Sequence, residues 1–435
     1  MLTKTAILKF CFLLLFALVL LWTYRIQIAE FNQYMGYVVF PIDVAFLIKL
    51  IFSILFLSSL FPARITRPSD FFFVVQVLVV CLPFAVFHQI RYEMGVEYVV
   101  WFILLTLPMI LLKLFLWLPI KISIPVIRGS NLNLTFAMAL GFTAVLLAAN
   151  SAPDSSGFSL YDSYDRRLEG RDVYQPRSVV SYFNSMAVNG LAPFIAFYAG
   201  FLNKRNLLLA AIFIVVAYFY FLGLKAPIFY VLISFGLGMA LRIKKLNQVY
   251  LLGLVALICL PVVSVIEFYV INYSFIADFL LRRVFAVPSY VMSAYFELIS
   301  SPAGSATQWY LLLGVDDAKA ITFIIGEYIL GLVGANANTN TFVYYLASRG
   351  ILGFLAAVLL VCYIFFFLDK VTTRGKLKIA HIFIGFIFSI LIAEQAVLTT
   401  LVSSGVGLLL ILSLFSNESK FFDSYNKRVS SGRPS

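Results

Sequence analysis

The chain has 435 residues, of which 62% are hydrophobic and 12% are charged, and its mean hydropathy is +0.99. Soluble domains carry about 25% charged residues, so this composition excludes an ordinary soluble protein and predicts a polytopic membrane protein. The formal charge of +12 does not indicate a nucleic-acid partner, because the basic residues separate apolar stretches instead of gathering on one face.

A membrane-spanning helix needs about 20 apolar residues, and on that basis the sequence predicts twelve spans. The first resembles a signal peptide but is followed by no small-residue cleavage site, so we interpret it as a retained span. One long apolar stretch is divided at Gly223-Leu-Lys-Ala-Pro227, because glycine, a charge and proline together favour a break. The predicted spans are 6–23, 40–61, 71–89, 98–119, 133–149, 180–201, 207–223, 226–241, 248–269, 350–368, 379–397 and 400–416.

The cysteines and histidines give no sign of a metal or other cofactor. All four cysteines lie inside apolar stretches with no paired spacing, which favours buried thiols over disulfides or metal ligands. The two histidines add no ligand cluster. The residues concerned are Cys11, Cys81, Cys259, Cys362, His88 and His381.

The basic residues predict the topology. Nineteen of the 32 lysines and arginines lie at the N-terminus, in alternate loops or in the tail after residue 416. Short positive loops stay in the cytoplasm, so both termini are predicted inside and two longer segments, 150–177 and 271–350, outside. These outer segments carry arginines that the positive-inside rule does not expect: Arg166, Arg167, Arg171, Arg177, Arg282, Arg283 and Arg349.

The first outer segment alternates acidic, basic and tyrosine residues. It reads either as a solvated loop with internal ion pairs or as an anion-binding cradle, since arginine pairs bidentately with phosphate oxygens and tyrosine can stack on sugar rings. The candidate residues are Tyr164, Asp165, Arg166, Arg167, Arg171 and Arg177.

The second outer segment contains two further candidate groups. Arg282 and Arg283 lie among apolar residues, where one can snorkel to the interface but the other needs an anion. Asn336 and Asn338 precede an apolar stretch as a helix cap would, yet capping needs only one such residue, and a helix N-terminus also favours anions. Lys225, in the predicted outer turn, and Arg349 complete the group of candidates.

Lys49 lies within a predicted span, where a charge needs a partner, and Asp43 is one candidate for that partner.

Several motifs are spread along the chain: Arg67-Pro-Ser-Asp-Phe-Phe72, Tyr164-Asp-Arg-Arg167, Gly223-Leu-Lys225, Asn336-Ala-Asn338 and Arg349-Gly-Ile-Leu-Gly353. With these motifs the chain resembles the Wzy-type O-antigen polymerases, which join oligosaccharide repeat units in bacterial envelopes. The likeness covers the layout of nearly the whole chain. The chain departs from the arginine-spacer-glycine pattern of some members, because the spacing from Arg177 to Gly190 does not match it.

The resemblance implies an all-α polytopic bundle of the glycosyltransferase type that uses lipid-linked donors (GT-C-like), with a single membrane domain over residues 1–435. Its substrate would be oligosaccharide on undecaprenyl pyrophosphate, joined at the periplasmic face of the inner membrane without a nucleotide sugar or a metal. A flippase and a chain-length regulator are the implied partners. Prearranged arginines would stabilise the departing pyrophosphate.

On this reading Arg177, Arg282 and Arg283 are the predicted catalytic arginines. Asp165 is a further predicted catalytic residue, and the general base stays open among Asp165, Glu169, Asp316 and Asp317. The remaining candidates would bind substrate: Tyr164, Arg166, Arg167, Arg171, Lys225, Asn336, Asn338 and Arg349. Two rival classes stay open. An O-antigen ligase would show a functional histidine in its large outer loop, and a flippase would show repeats and charges within its spans.

Overall fold

The computed structural model describes residues 4–91, 93–119, 132–159, 162–174, 178–301, 320–331, 336–373 and 379–414. Within these ranges the regular structure is helical, and no strand occurs. The all-helical class predicted from the sequence is therefore confirmed for the described part of the chain.

Eight described helices are long and apolar enough to cross a membrane. Each overlaps a predicted span, so the transmembrane character is confirmed. We label them α1 (residues 4–31, with its last turns π-helical from Tyr24), α3 (Pro68–Phe87), α4 (Glu97–Trp117), α7 (Val179–Leu202), α8 (Arg205–Leu222), α9 (Ala226–Ile243), α10 (Leu246–Ile271) and α13 (Thr341–Thr373).

Eight further described α- or π-helices do not meet that criterion of length and apolar composition, and three of them coincide with predicted spans. The last predicted span, 400–416, corresponds to two short helices. These further helices are α2 (Val44–Leu60), α5 (Leu132–Asn150), α6 (Ser163–Val173), α11 (residues 276–300), α12 (residues 321–329), α14 (Ile379–Glu394), α15 (Val397–Leu401) and α16 (Val406–Leu414).

The chain divides into two compact units. Unit 1 comprises the described residues of 1–120, 250–367 and 389–397, and unit 2 those of 121–249, 368–388 and 398–435. Each unit has its own buried core of aromatic and aliphatic side chains: Phe72 packs on Phe365 in unit 1, and Phe197 packs on Phe383 in unit 2.

The helix starts follow local sequence signals. Asp43 caps α2 by accepting a hydrogen bond from the Phe46 amide (2.7 Å), so it serves the helix N-terminus. Lys49 donates instead to the carbonyl oxygen of Met94, which corrects the predicted Lys49–Asp43 pair. Asp70 closes a capping box at the start of α3, where its carboxylate accepts from the Arg67 amide (3.0 Å). The Arg67-Pro-Ser-Asp70 motif is thus a helix start.

The predicted break near residue 223 is confirmed. Helix α8 ends at Leu222 and α9 begins at Ala226. Gly223 has a positive φ of 62°, which a glycine adopts without strain. A Cβ atom there would also overlap the carbonyl oxygen of Ser163 at the start of α6. Gly223 therefore both ends α8 and lets α6 pack on the turn.

In unit 1, the loops meet in two groups that agree with the predicted alternation of spans. Tyr250, in the first turns of α10, donates to the carbonyl oxygen of Pro62 (2.8 Å), which joins the start of that helix to a loop predicted inside. Segment 272–300 contacts segments 24–39 and 90–97, all predicted outside, through hydrogen bonds described below. Such grouping is what a bundle of alternating spans requires.

The predicted outer segment 271–350 is largely helical where it is described. Helix α11 begins as a π-helix, Ile276–Ala286, and most of its length is buried. Helix α13 starts at Thr341, nine residues before the predicted span, and its backbone is non-helical at Gly350. This segment is therefore a packed part of unit 1, and it positions the candidate residues.

In unit 2, α7 and α9 cross at two glycines. A Cβ atom on Gly238 would overlap the carbonyl oxygen of Phe197, and one on Gly200 would lie 2.7 Å from the Met239 amide nitrogen. Small residues allow such close approach, which is how membrane helices gain packing energy in the absence of a hydrophobic driving force between them.

Gly238→Ala is expected to destabilise the protein by about 1–3 kcal/mol, because the added methyl group forces the helices apart. Gly236→Ala is the matched control, since a Cβ atom there meets nothing within 4 Å. Thermal unfolding of the purified protein measures the difference. Equal melting temperatures for the two variants would contradict the close crossing.

Candidate functional site

Arg282 is buried in unit 1 and paired with an acidic residue of its own helix. Its Nε donates to Asp278 Oδ1 (2.7 Å) and to the Asp278 carbonyl oxygen (3.2 Å), and its side chain is 5% exposed. Its Nη1 points to the sulfur of Met35 (3.5 Å). The guanidinium is thus held within the fold by Asp278, and the catalytic role of Arg282 stays a prediction.

Asp278 is the centre of this arrangement. Besides Arg282 it accepts hydrogen bonds from the Tyr273 hydroxyl (3.0 Å) and from the Asn32 side-chain amide (3.3 Å). Burial, followed by the hydrogen bond to Asp278, raises the pKa of Tyr273. The carboxylate therefore ties the end of α1 to the start of α11.

Arg283 has the opposite environment. Its side chain is exposed, and it has no hydrogen-bond or ion-pair partner among the described residues. The two arginines therefore point in different directions, as the sequence predicts. Asp278 is the anion that pairs with Arg282, and the side chain of Arg283 is exposed at the surface. Of the two, Arg283 is the one available to a ligand.

Arg91 is a functional candidate that the sequence analysis missed. Its Nε contacts Glu297 Oε2 at 2.5 Å, and its Nη1 donates to the Tyr290 hydroxyl at 3.2 Å. Its guanidinium lies over the Tyr290 ring, 5.5 Å from the centroid. Arg91 lies between predicted spans 71–89 and 98–119, in a loop that the same spans place on the outer side, so the positive-inside pattern could have indicated it.

Two stacked tyrosines join these arginines. The rings of Tyr37 and Tyr290 are 5.2 Å apart at 23°. Tyr37 is hydrogen-bonded to Arg282, and burial, opposed by that arginine, raises the pKa of Tyr37 to about 12. A Cβ atom on Gly36 would lie 2.6 Å from the Tyr290 hydroxyl, so only glycine fits beside it. We call Arg91, Arg282, Arg283, Tyr37 and Tyr290 the arginine–tyrosine cluster.

In the asparagine-rich segment, one asparagine caps helix α13 and two others are exposed. Asn340 is buried, accepts from the Phe342 amide (3.0 Å) and donates to Gln76 Oε1 (3.3 Å), so it is the cap of α13. Asn336 and Asn338 are exposed. Between them, Ala337 accepts a hydrogen bond from the Tyr295 hydroxyl (2.9 Å). The helix N-terminus is thus already capped, and only Asn336 and Asn338 keep the predicted availability for substrate.

Arg349 is exposed and lies just before the kink of α13. A Cβ atom on Gly353 would overlap the Cβ of Arg349. The Arg349-Gly-Ile-Leu-Gly353 motif therefore has a packing explanation: Gly350 bends the helix, and Gly353 leaves room for the arginine.

In unit 2, α6 packs one face onto the end of α8. A Cβ atom on Gly170 would overlap Leu222, and Arg166, which is 1% exposed, lies over the Phe219 ring with its guanidinium carbon 5.6 Å from the centroid. Arg166 Nη2 donates to the Ser159 carbonyl oxygen (2.6 Å), while its Nε is buried with no hydrogen-bond partner in the described structure. Arg166 therefore packs against α8, and its contact with substrate stays a prediction.

The outer face of α6 carries exposed charges. Asp165 and Arg167 are exposed, and Asp165 has no partner among the described residues. Glu169 instead accepts from the Asp154 amide (3.0 Å) and the Ser155 amide (3.3 Å). Hydrogen bonding to Ser155 is the main cause that lowers the pKa of Glu169. Of these two carboxylates, Asp165 is therefore the one available as a base.

Lys225 is exposed in the turn between α8 and α9, whose Gly223 lies against the Ser163 carbonyl oxygen at the start of α6. Further predicted residues fall outside the described part of the chain, wholly or for their side chains: Tyr164, Arg171, Arg177, Asp316 and Asp317.

His88 is buried in unit 1 against Phe46, with 5.3 Å between ring centroids. Burial is the main cause that lowers the pKa of His88 to about 4, and Lys49 adds to it while the Ala85 carbonyl and Asp43 oppose it. Below pH about 6.5, unfolded chains bind a proton that the folded histidine does not. Stability contributed by the neutral ring is thus present above that pH and is lost as the pH falls toward 4.

This loss is expected to reach about 3 kcal/mol between pH 6.5 and 4. His88→Gln should reduce the slope of stability against pH in that window, because the variant has no group there to protonate. Melting temperatures of both proteins in detergent at several pH values test this expectation. Parallel curves would contradict it, since the carboxylates that also titrate are common to both proteins.

The comparisons with known proteins give no relative: no family model, no curated protein and no solved structure matches the chain. Among the described residues, no group of three or more His, Cys, Asp or Glu side chains could hold a metal ion. The features that point to a function are therefore the sequence motifs, the arginine–tyrosine cluster of unit 1 and the exposed charges on α6 of unit 2.

Proposed function

We propose that the chain is an oligosaccharide repeat-unit polymerase of the Wzy type, which acts at the periplasmic face of the bacterial inner membrane. The observation that carries the proposal is Arg283. It is an arginine of a predicted outer segment that has no hydrogen-bond or ion-pair partner among the described residues. It directly follows Arg282, whose charge is already paired with Asp278. An exposed guanidinium at the end of membrane helices favours an anionic substrate held by a lipid.

In the proposed reaction, a sugar hydroxyl of one lipid-linked unit attacks the anomeric carbon of another. A glycosidic bond forms, the bond to the pyrophosphate oxygen breaks, and undecaprenyl pyrophosphate leaves with the electron pair. No nucleotide sugar is needed, because the donor carries its own leaving group. Hydrogen bonds from Arg283 to the developing charge would each contribute about 1.5–3 kcal/mol, and a preorganised charge costs no reorganisation.

The hydroxyl proton passes to a carboxylate or to water. Asp165, a candidate base, is exposed in unit 2. In unit 1, Glu297 is a second candidate, because its side chain is 44% exposed and only its Oε2 is engaged by Arg91. Both substrates are held by membrane anchors, which gives the orientational advantage of proximity.

A deletion strain tests this proposal on a lipopolysaccharide gel. Loss of a polymerase leaves core carrying a single repeat unit. Loss of a ligase leaves bare core with polymer accumulating on undecaprenyl pyrophosphate, and loss of a flippase leaves bare core with units trapped on the cytoplasmic leaflet. Core with one unit supports the polymerase, and bare core overturns it.

A further inference from the structure

A row of aromatic rings runs in unit 1 from the end of α10 to Arg283. Phe268, in the last turn of α10, is 6.1 Å from Phe31, and Phe31 is 5.9 Å from Tyr273. Tyr273 is 5.0 Å from Phe275, and Phe275 is 6.2 Å from Phe279. We call these five residues the aromatic row.

The row is exposed at its far end. Phe275 is 56% exposed and Phe279 is 64% exposed. Along the start of α11 the exposed positions are 275, 279 and 283, while positions 277, 281 and 282 are buried. Residues spaced by four share one face of a helix, so two bare rings and one unpaired arginine form a single stripe.

We propose that the aromatic row binds the isoprenoid chain of a polyprenyl diphosphate next to its headgroup, and that Arg283 binds the diphosphate. The proposal rests on the proposed function for the identity of this lipid. It adds where the lipid reaches the site: along α10, over Phe275 and Phe279, and up to the arginine–tyrosine cluster.

Three observations support this occupant. The row begins on a helix that is apolar and long enough to cross the membrane, so a lipid chain can reach it without crossing water. It ends at a cation with no internal anion, which suits a charged headgroup. A second copy of the chain on this stripe would bring two Arg283 side chains together, and like charges disfavour such a contact.

Ordinary anionic phospholipid offers the same chemistry, an apolar chain below a phosphate. Aromatic residues also collect at membrane interfaces without binding any particular lipid. The experiment must therefore separate a polyprenyl diphosphate from phosphatidylglycerol, and a binding row from an interfacial belt.

The test measures binding of radiolabelled undecaprenyl diphosphate to the full-length protein in detergent. Phe275→Ala/Phe279→Ala is expected to weaken binding by about tenfold or more, because two rings that would cover the chain are lost. Phe229→Ala is the matched control, since it removes a ring that is 54% exposed on α9. Because both rings of the double variant are exposed, folding should be retained. The single Phe279→Ala variant gives a second measurement if the double variant accumulates poorly.

Competition separates the parts of the site. Inorganic pyrophosphate should compete for wild type and for the double variant, and much less for Arg283→Ala. Excess phosphatidylglycerol should leave the label bound. Equal affinity of the double variant and Phe229→Ala would overturn the proposal in favour of an interfacial belt, and displacement by phosphatidylglycerol would overturn it in favour of a general lipid site. These measurements need no polymer, so they stand apart from the gel test of the proposed function.

Discussion

Arg283→Ala is expected to abolish long-chain polymer while the protein remains in the membrane. The side chain is exposed and has no partner among the described residues, so its loss should not disturb the fold. Removal of one donor that stabilises a developing oxyanion costs about 10²–10³ in rate. A polymerase slowed to that extent would leave mainly core with a single repeat unit on a lipopolysaccharide gel.

Arg64→Ala is the matched control for this loss. Arg64 is also exposed and belongs to the same unit, but it lies in a loop predicted on the cytoplasmic side. Arg283→Lys should restore polymer poorly, because a lysine is a point charge without the planar fork of a guanidinium. Wild-type chain lengths in Arg283→Ala, with membrane levels equal to those of Arg64→Ala, would remove this residue from the proposed mechanism.

Asp278→Ala is expected to destabilise the protein by about 3–5 kcal/mol, since it leaves a buried cation without its partner. Arg282 is 5% exposed and Asp278 is 20% exposed, so solvent screens the pair little. The variant also removes the acceptor of the Tyr273 hydroxyl and one of the two acceptors of the Asn32 side-chain amide, which keeps the Ile28 carbonyl oxygen. Membrane yield and melting temperature should both fall sharply.

The double variant Asp278→Leu/Arg282→Met separates structure from catalysis. Replacing a buried ion pair by apolar side chains of similar size is often neutral or stabilising, so stability should largely return. If Arg282 acts only within the fold, polymer should return as well. A stable but inactive double variant would support a catalytic role for Arg282. An Asp278→Ala protein as stable as wild type would contradict the stabilising role of the Asp278–Arg282 pair.

The sequence by itself determined the elements of this protein. Spans of about 20 apolar residues admit only helices in a membrane, so the helices could be read from composition and length. Local signals also sufficed where neighbours along the chain decide the outcome. Proline at 68 with Asp70 starts α3, and the glycine, lysine and proline after Leu222 separate α8 from α9.

Only the tertiary structure decided which charged residues remain available. Arg282 and Arg283 are neighbours of the same residue type, so the sequence does not distinguish them. In the folded chain, Arg282 is buried and paired with Asp278, whereas the side chain of Arg283 is exposed. Arg166 looked like part of a cradle and became buried on Phe219, while Arg91 gained its role from Glu297, which is 206 residues away in the chain. Whether a charge is paired depends on contacts between distant segments, which no local pattern records, and burial makes an unpaired charge costly enough to fix those contacts.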